Sequence, residues 1–356
     1  MRNQTTLVRG ELPETLFEKR GGVATVTINR PQAHNSYSAA TLVELAEAVR
    51  RAGRDDSVVA VVVTGAGDRA FCTGGDVKEY ERDYVRRPRD YWQYMTLFRD
   101  WIESLLRCPK PVVARLNGMA VGGGNETQLA CDLTVMGSHA WLGQVGTRVG
   151  SVACGGATQW LPLAVGDKRA RQMLLLNERI PAPQALDWGL VNEVAPTVRR
   201  GDEWLAEPTP EEVERAHRRE DGYAIDLAPL DRAVEVLAGR LHDAFPECLR
   251  YTKAQTNFWK ELVWGMTMPH AQEWLALHFA CREPWEGMTA FAEKRPVDFA
   301  ALRRRWAEDR SPETPWGAPV GRCAACGAQG LPAEFAHCGA CGAPLAGPAA
   351  AREARP

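Results

Sequence analysis

Residues 118–156 read GMAVGGGNETQLACDLTVMGSHAWLGQVGTRVGSVACGG, and they decide how this chain is understood. They give a glycine turn, a helix start carrying the carboxylate Glu126, a strand at 133–136, and a second glycine-rich loop. Upstream, Phe71-Cys72-Thr73-Gly74-Gly75-Asp76 supplies another glycine turn at the head of a helix. Backbone N–H groups at such ends lack helical partners and point at anions. Two of them converging on one carbonyl oxygen make an oxyanion hole, which implies an enolate or tetrahedral oxyanion beside Glu126.

Working outward, strands alternate with helices. Residues 22–29 (GVATVTIN) alternate and are β-branched, 58–64 form a buried strand, and 111–117 (PVVARLN) another. Residues 38–52 have helical spacing after a Ser cap. A polar and aromatic stretch, 80–94, precedes a helix ending near Leu106, and 157–176 look helical. Residues 182–188 form a short helix before a strand at 190–194. Residues 197–222 are polar and read as an exposed insert or partial helix, and 230–306 are helical and rich in tryptophan. The order implies βαβ units and an α/β fold.

The 356 residues allow one large domain plus an appendage. Apolar residues make up 45% and charged ones 25%, and the net charge of −2 gives no drive toward nucleic acid or anionic membrane. The polar N-terminus lacks the apolar core of a signal peptide. The longest apolar run, 58–63, is too short to span a bilayer. Cys72, Cys108, Cys131, Cys154, Cys248 and Cys281 are scattered and read as reduced, so the expected location is cytoplasmic.

An ordered set of marks identifies the chain as similar to the crotonase (enoyl-CoA hydratase/isomerase) superfamily. They are Asn29-Arg30-Pro31 with Asn35; residues 70–76 with Lys78-Glu79; Lys110-Pro111-Val112-Val113-Ala114; Asn117-Gly118; Gly122-Gly123-Gly124 with Glu126; Cys131-Asp132-Leu133; Gly143-Gln144; and Trp188-Gly189-Leu190-Val191-Asn192. Any one glycine cluster is weak, but the set in order across about residues 15–300 is specific. Within the superfamily, residues 90–98, 150–158, 225–227 and 245–249 resemble the 6-oxocyclohex-1-ene-1-carbonyl-CoA hydrolase family. That family hydrates a ring C=C and then hydrolyses a ring C–C bond.

The resemblance implies a ClpP-like spiral of ββα units with a helical C-terminal region packing trimers or hexamers, to which Trp259, Trp264, Trp274 and Trp285 are suited. It implies oxyanion donors at the Gly75 and Gly123 amides and general acid/base work at Glu126. Plain βα turns and a helix-start acid are the alternatives. CoA, as part of the substrate, is expected along Arg30, Ala33, His34 and Ala70, Phe71, Cys72; an exposed loop is the other reading. No other catalytic cofactor is implied.

One departure stands out. Simple hydratases carry a second glutamate where this chain has Gly146, and naphthoate synthases and 2-ketocyclohexane ring hydrolases carry an acid where it has Ala153. Asp76, Tyr80, Tyr84, Tyr94, His139 and Ser151 are candidates for the missing group. For each there is a bland reading: a helix cap for Asp76, surface packing for the tyrosines, a core or edge histidine for His139. Gln144, Gly146 and Ser151 read as lining the pocket. The expected reaction is ring-opening hydrolysis (EC 3.7.1-like). Simple hydration (EC 4.2.1) or naphthoate-synthase-like ring chemistry is the alternative, and a CoA-ester-binding scaffold the rival from another class.

Near the C-terminus, Cys323-x-x-Cys326 and Cys338-x-x-Cys341 each precede a glycine, as in the knuckles of a zinc ribbon. Four cysteines leave no open position, so structural zinc is expected, with two disulfides or free thiols as the alternative. The module could dock a partner protein or help oligomerise; nucleic acid fits its composition least. The expected segments are 1–222 (core, with the charged insert 197–222), 223–310 (helical region), 311–320 (linker), 321–345 (cysteine module) and 346–356 (disordered tail).

Overall fold

The computed structural model describes residues 13–308, 319–332 and 335–345. The expected tail 346–356 and most of the linker lie outside the described residues, as does the N-terminal start. Two compact units are present: residues 13–76, 95–147 and 152–271 form the first, and 77–94, 148–151 and 272 onward the second.

In the first unit the strands are β1 (Thr15–Arg20), β2 (Val23–Ile28), β3 (Ala60–Gly65), β4 (Ala70–Cys72), β5 (Val112–Leu116), β6 (Met119–Val121), β7 (Leu133–Gly137), β8 (Trp141–Gly143), β9 (Ile180–Pro181) and β10 (Glu193–Ala195). From β3 to β8, successive strands alternate between two sheets. One has the order β1-β2-β3-β5-β7-β10 and the other β4-β6-β8-β9. The pairs β3–β4, β5–β6 and β7–β8 each precede a helix, which gives the ββα spiral expected from the resemblance. From β2 to β10 the large sheet is parallel; β1, missed in the sequence, joins it antiparallel. β3 is buried along its whole length, as its unbroken apolar run requires. Val62, Val113, Val135 and Ala195 pack under Leu230 and Val234 of the helix Ala228–His242.

Two asparagines place the second sheet. Asn35, in the left-handed region with φ 55°, donates to the carbonyls of Ala66 (2.9 Å) and Ala70 (2.7 Å). Such a φ is tolerated best by short polar side chains. Asn117 accepts from the Gly65 amide at 2.9 Å and donates to the carbonyls of Gly67 (2.9 Å) and Ala70 (3.0 Å). Both fix the start of β4, whose end leads into the first glycine turn.

Several expectations are corrected. Residues 157–176 are two helices, Ala157–Val165 and Asp167–Leu176, broken at Gly166 with φ 81°. Residues 197–222, expected as an exposed insert or partial helix, do contain a helix but add strands to it. β11 (Val198–Arg200) pairs with β12 (Glu203–Leu205) and β13 (Tyr223–Ile225), and the helix Pro210–Arg218 starts in a Thr209/Glu212 capping box. Val198, Ala216 and Tyr223 give this insert its own small core. The first glycine turn heads only a one-turn helix, Val77–Glu79, followed by a π turn at Tyr80–Tyr84. Trp264 is buried and stacks on Trp160 at 5.3 Å, so it is unavailable to another subunit, whereas Trp259 is 64% exposed. No helix among the described residues is long and apolar enough to cross a membrane.

Candidate functional site

The helix Gly123–Ala130 starts from Gly122, whose backbone (φ 55°, ψ −123°) only glycine adopts readily, and no side chain caps it. A Cβ at Gly124 would stand 2.0 Å from the Cys72 carbonyl, so this helix start sits directly on the end of β4. A Cβ at Gly74 (φ 85°) would stand 2.7 Å from the Gly123 amide nitrogen. The two glycine turns therefore touch, and the segment carrying Gly75 lies against the start of the Glu126 helix.

Glu126 is buried, 6% exposed. Its Oε1 accepts from the amides of Gly155 (2.8 Å) and Ala157 (3.3 Å), at the start of the next helix. Those donors favour the carboxylate, but burial outweighs them and raises the carboxyl pKa to about 7. A group titrating there can take or give a proton near neutrality. Burial also pushes the thiols of Cys72 and Cys131 up to about 12 and raises that of Cys154. They remain protonated, so none supplies a thiolate nucleophile.

Arg30 is committed to protein partners. It meets Asp76 at 2.9 Å and Glu14 at 3.2 Å, and donates to the Ser36 carbonyl at 2.5 Å. These contacts give Asp76 an ion pair with Arg30, a residue expected along CoA. His34 is exposed and Ala33 half-buried in the adjoining turn, whereas Ala70, Phe71 and Cys72 are buried in β4. Gln144 is buried; its Nε2 donates to the Gly122 carbonyl at 3.3 Å, and its Oε1 has no partner among the described residues. Gly146 begins the short helix Gly146–Val149. His139 is a core residue: its ring meets the Thr197 hydroxyl (2.6 Å) and the carbonyls of Asp68 and Asn117. Burial lowers its pKa, which keeps it neutral.

Tyr37 escaped the sequence reading. It precedes the Ser38 cap of the helix Ala39–Gly53, where an apolar residue usually staples the helix start. In the structure a Cβ at Gly123 would lie 1.6 Å from its hydroxyl oxygen. Its nearness to the glycines was signalled only by its place two residues past Asn35.

Tyr80, Tyr84, Tyr94 and Ser151 belong to the second unit. Tyr84 and Tyr94 are buried, contrary to surface packing. The Tyr80 hydroxyl donates to that of Tyr94 at 2.9 Å, and the Tyr84 hydroxyl to Glu79 at 2.6 Å. Burial, then this bond to Glu79, raises the Tyr84 pKa. Tyr91 stacks on Phe279 at 3.4 Å beside them. Ser151 is half-buried next to Gly150, where a Cβ would strike the Glu283 carbonyl at 2.3 Å.

The second unit also holds the cysteine module. The sulfurs of Cys323 and Cys341 are 3.8 Å apart and those of Cys326 and Cys338 3.6 Å, and all four lie within 4.8 Å of one another. Disulfides need about 2.05 Å, whereas tetrahedral zinc with Zn–S of about 2.3 Å sets sulfurs about 3.8 Å apart. The two knuckles repeat one geometry: Cys323 and Cys338 amides donate at 2.7 Å to Ala328 and Ala343, and Gly327 and Gly342 amides return to Cys323 and Cys338 at 2.8 Å. His337 bridges to Pro344 through its backbone and is not part of the cysteine cluster. A Cβ at Gly330 would lie 3.5 Å from the Trp285 ring.

The chain belongs to the enoyl-CoA hydratase/isomerase family, whose model matches residues 18–208. It is 37% identical over 318 residues to the 6-oxocyclohex-1-ene-1-carbonyl-CoA hydrolase of Geobacter metallireducens, covering 82% of each chain. To the protein of that name from Thauera aromatica it is 35% identical over 308 residues, covering 80% of this chain and 81% of the relative. Among solved structures, an enoyl-CoA hydratase from Mycobacterium avium subsp. paratuberculosis matches with a TM-score of 0.63 at 26% identity, over 80% of this chain and 98% of that one. These relatives support an enzyme of CoA-ester chemistry.

Proposed function

We propose that the chain adds water to a cyclic oxo-enoyl-CoA and opens the ring hydrolytically, through a thioester enolate held by the Gly75 and Gly123 amides. The observation that carries this reading is one buried glutamate, titrating near neutrality at the junction of two glycine turns, with Gly146 and Ala153 where related enzymes have a second acid. The names of the two relatives supply the substrate class.

In the first step Glu126 takes a proton from water, the hydroxyl bonds to the β carbon, and the alkene pair moves into the thioester as an enolate. Glu126 returns the proton to the α carbon. A second water then adds to the ring ketone, and C–C cleavage expels the α carbon, again as the thioester enolate. One oxyanion hole thus serves both steps. His34 and the adjoining turn are the stretch best exposed to meet CoA. Zinc on Cys323, Cys326, Cys338 and Cys341 would hold the module's shape and take no part in the reaction. Phe258, Leu262 and Met266, four residues apart along one helix and all exposed, suit a homo-oligomer contact.

Competition between a linear enoyl-CoA and 6-oxocyclohex-1-ene-1-carbonyl-CoA tests the assignment. Preference for the cyclic thioester is expected. Preference for the linear one would transfer the assignment to simple hydration.

A further inference from the structure

Tyr37 holds one glycine turn with its backbone and touches the other with its side chain. Its amide donates to the Gly74 carbonyl at 2.9 Å, and its carbonyl accepts from the Asp76 amide at 3.1 Å. This is a parallel bridge opposite Gly75. In that pattern the N–H of the bridged residue itself points away from the partner strand. Tyr37 thereby fixes the Gly75 turn without consuming the Gly75 N–H.

Its hydroxyl fills the space a side chain at Gly123 would take, 1.6 Å from the ideal Cβ. Gly123 and Glu126 are three apart on one helix and share a face. The same lining continues through Phe98, whose ring centroid is 5.8 Å from that of Tyr37. A Cβ at Gly155 would stand 2.1 Å from Phe98 and 2.9 Å from Glu126 Oε2. The phenol and the glutamate thus both lie on the buried side of this helix start, with Phe98 close to each. Tyr37 is 1% exposed.

Resting on the ring-opening reading, we propose that the Tyr37 hydroxyl donates a hydrogen bond to the ring ketone of the substrate and serves the second water addition. The ketone carbon and the thioester carbon are bonded to the same ring carbon. With both carbonyls turned to one side, a donor touching Gly123 meets the ketone oxygen while the glycine amides hold the thioester oxygen. Glu126 takes a proton from water, the water oxygen bonds to the ketone carbon, and the C=O pair moves onto the oxygen that Tyr37 holds. Collapse reforms the C=O and breaks the ring C–C bond. That electron pair becomes the thioester enolate, and Glu126 returns the proton to its α carbon. One water is consumed, a carboxylic acid is formed, and Tyr37 keeps its proton throughout. A simple hydratase has no such step, which gives the position its role in specificity.

Tyr37→Phe removes a single oxygen. With 6-oxocyclohex-1-ene-1-carbonyl-CoA the variant is expected to accumulate the singly hydrated ring thioester. Ring opening should slow by about 10²–10³-fold, the usual loss for one oxyanion donor, and hydration far less. Equal slowing of both steps, or of neither, overturns the inference. Tyr37→3-fluorotyrosine keeps the packing and strengthens the donor, so the ratio of opening to hydration should rise; an unchanged ratio counts against Tyr37 even where the Phe variant folds poorly. Wild-type protein that adds fewer than two waters removes the ring-opening reading and this inference with it. Wild-type protein that opens the ring, beside variants of unaltered ratio, removes the inference alone.

Discussion

Glu126 Oε1 lies 2.8 Å from the Gly155 amide and 3.3 Å from that of Ala157, so a carboxylate on one helix receives N–H groups just before and at the start of the next. Burial nevertheless dominates and sets its pKa at about 7. The folded protein therefore binds this proton more tightly than the unfolded chain between about pH 4.5 and 7. Stability linked to Glu126 is fully present below pH 4.5 and is lost as pH rises to about 7, by up to about 3 kcal/mol. Glu126→Gln should flatten that part of the pH dependence in denaturant titrations. As a base in water addition, Glu126 makes kcat/KM rise with pH through about 7; Glu126→Gln should abolish that limb and lower kcat about 10²–10⁴-fold.

Gly123→Ala would place a methyl group against the Tyr37 hydroxyl, and Gly74→Ala would set one 2.7 Å from the Gly123 amide nitrogen. Both should lower kcat by at least about 10²-fold, the scale of one lost oxyanion donor. Gly67→Ala is the control: it has φ 79° but open space around it. It should cost about 1 kcal/mol of stability and leave kcat alone. Steady-state rates and thermal melts of the three variants separate strain from chemistry.

Metal analysis of the purified protein should find one zinc per chain on the four cysteines. Cys326→Ser should weaken binding, because three thiolates and a hydroxyl hold zinc less tightly than four thiolates. Chelation should loosen the module while ring-thioester turnover persists, a contrast read by limited proteolysis alongside activity.

The exposed apolar strip on the helix Phe258–His278 should carry subunit contact. Leu262→Asp with Met266→Asp is expected to convert the oligomer into smaller species in light scattering. The far-ultraviolet circular dichroism should stay the same, since both side chains are exposed in the single chain.

Motifs that depend on backbone geometry were legible in the sequence. Glycine runs mark both turns, alternating β-branched residues mark β2, and an unbroken apolar run marks β3. The paired knuckles were equally plain, because their glycines must take positive φ, 75° at Gly327 and 73° at Gly342. What escaped depended on contacts distant in the chain. The ion pair of Arg30 with Asp76, 46 residues away, leaves no local mark in the sequence. Tyr37 went unnoticed, because nothing local ties it to Gly123. The strands of the insert 197–222 escaped because they are three residues long and its core is three side chains, too short for period-two patterning to register.

The central claim is the addition of two waters at one oxyanion hole. The measurement that tests it most directly is the product mass after purified protein is incubated with 6-oxocyclohex-1-ene-1-carbonyl-CoA. A gain of two waters, giving the open-chain hydroxy-dicarboxylyl-CoA, is the expected result. A gain of one water at completion, or an unaltered substrate, would contradict it.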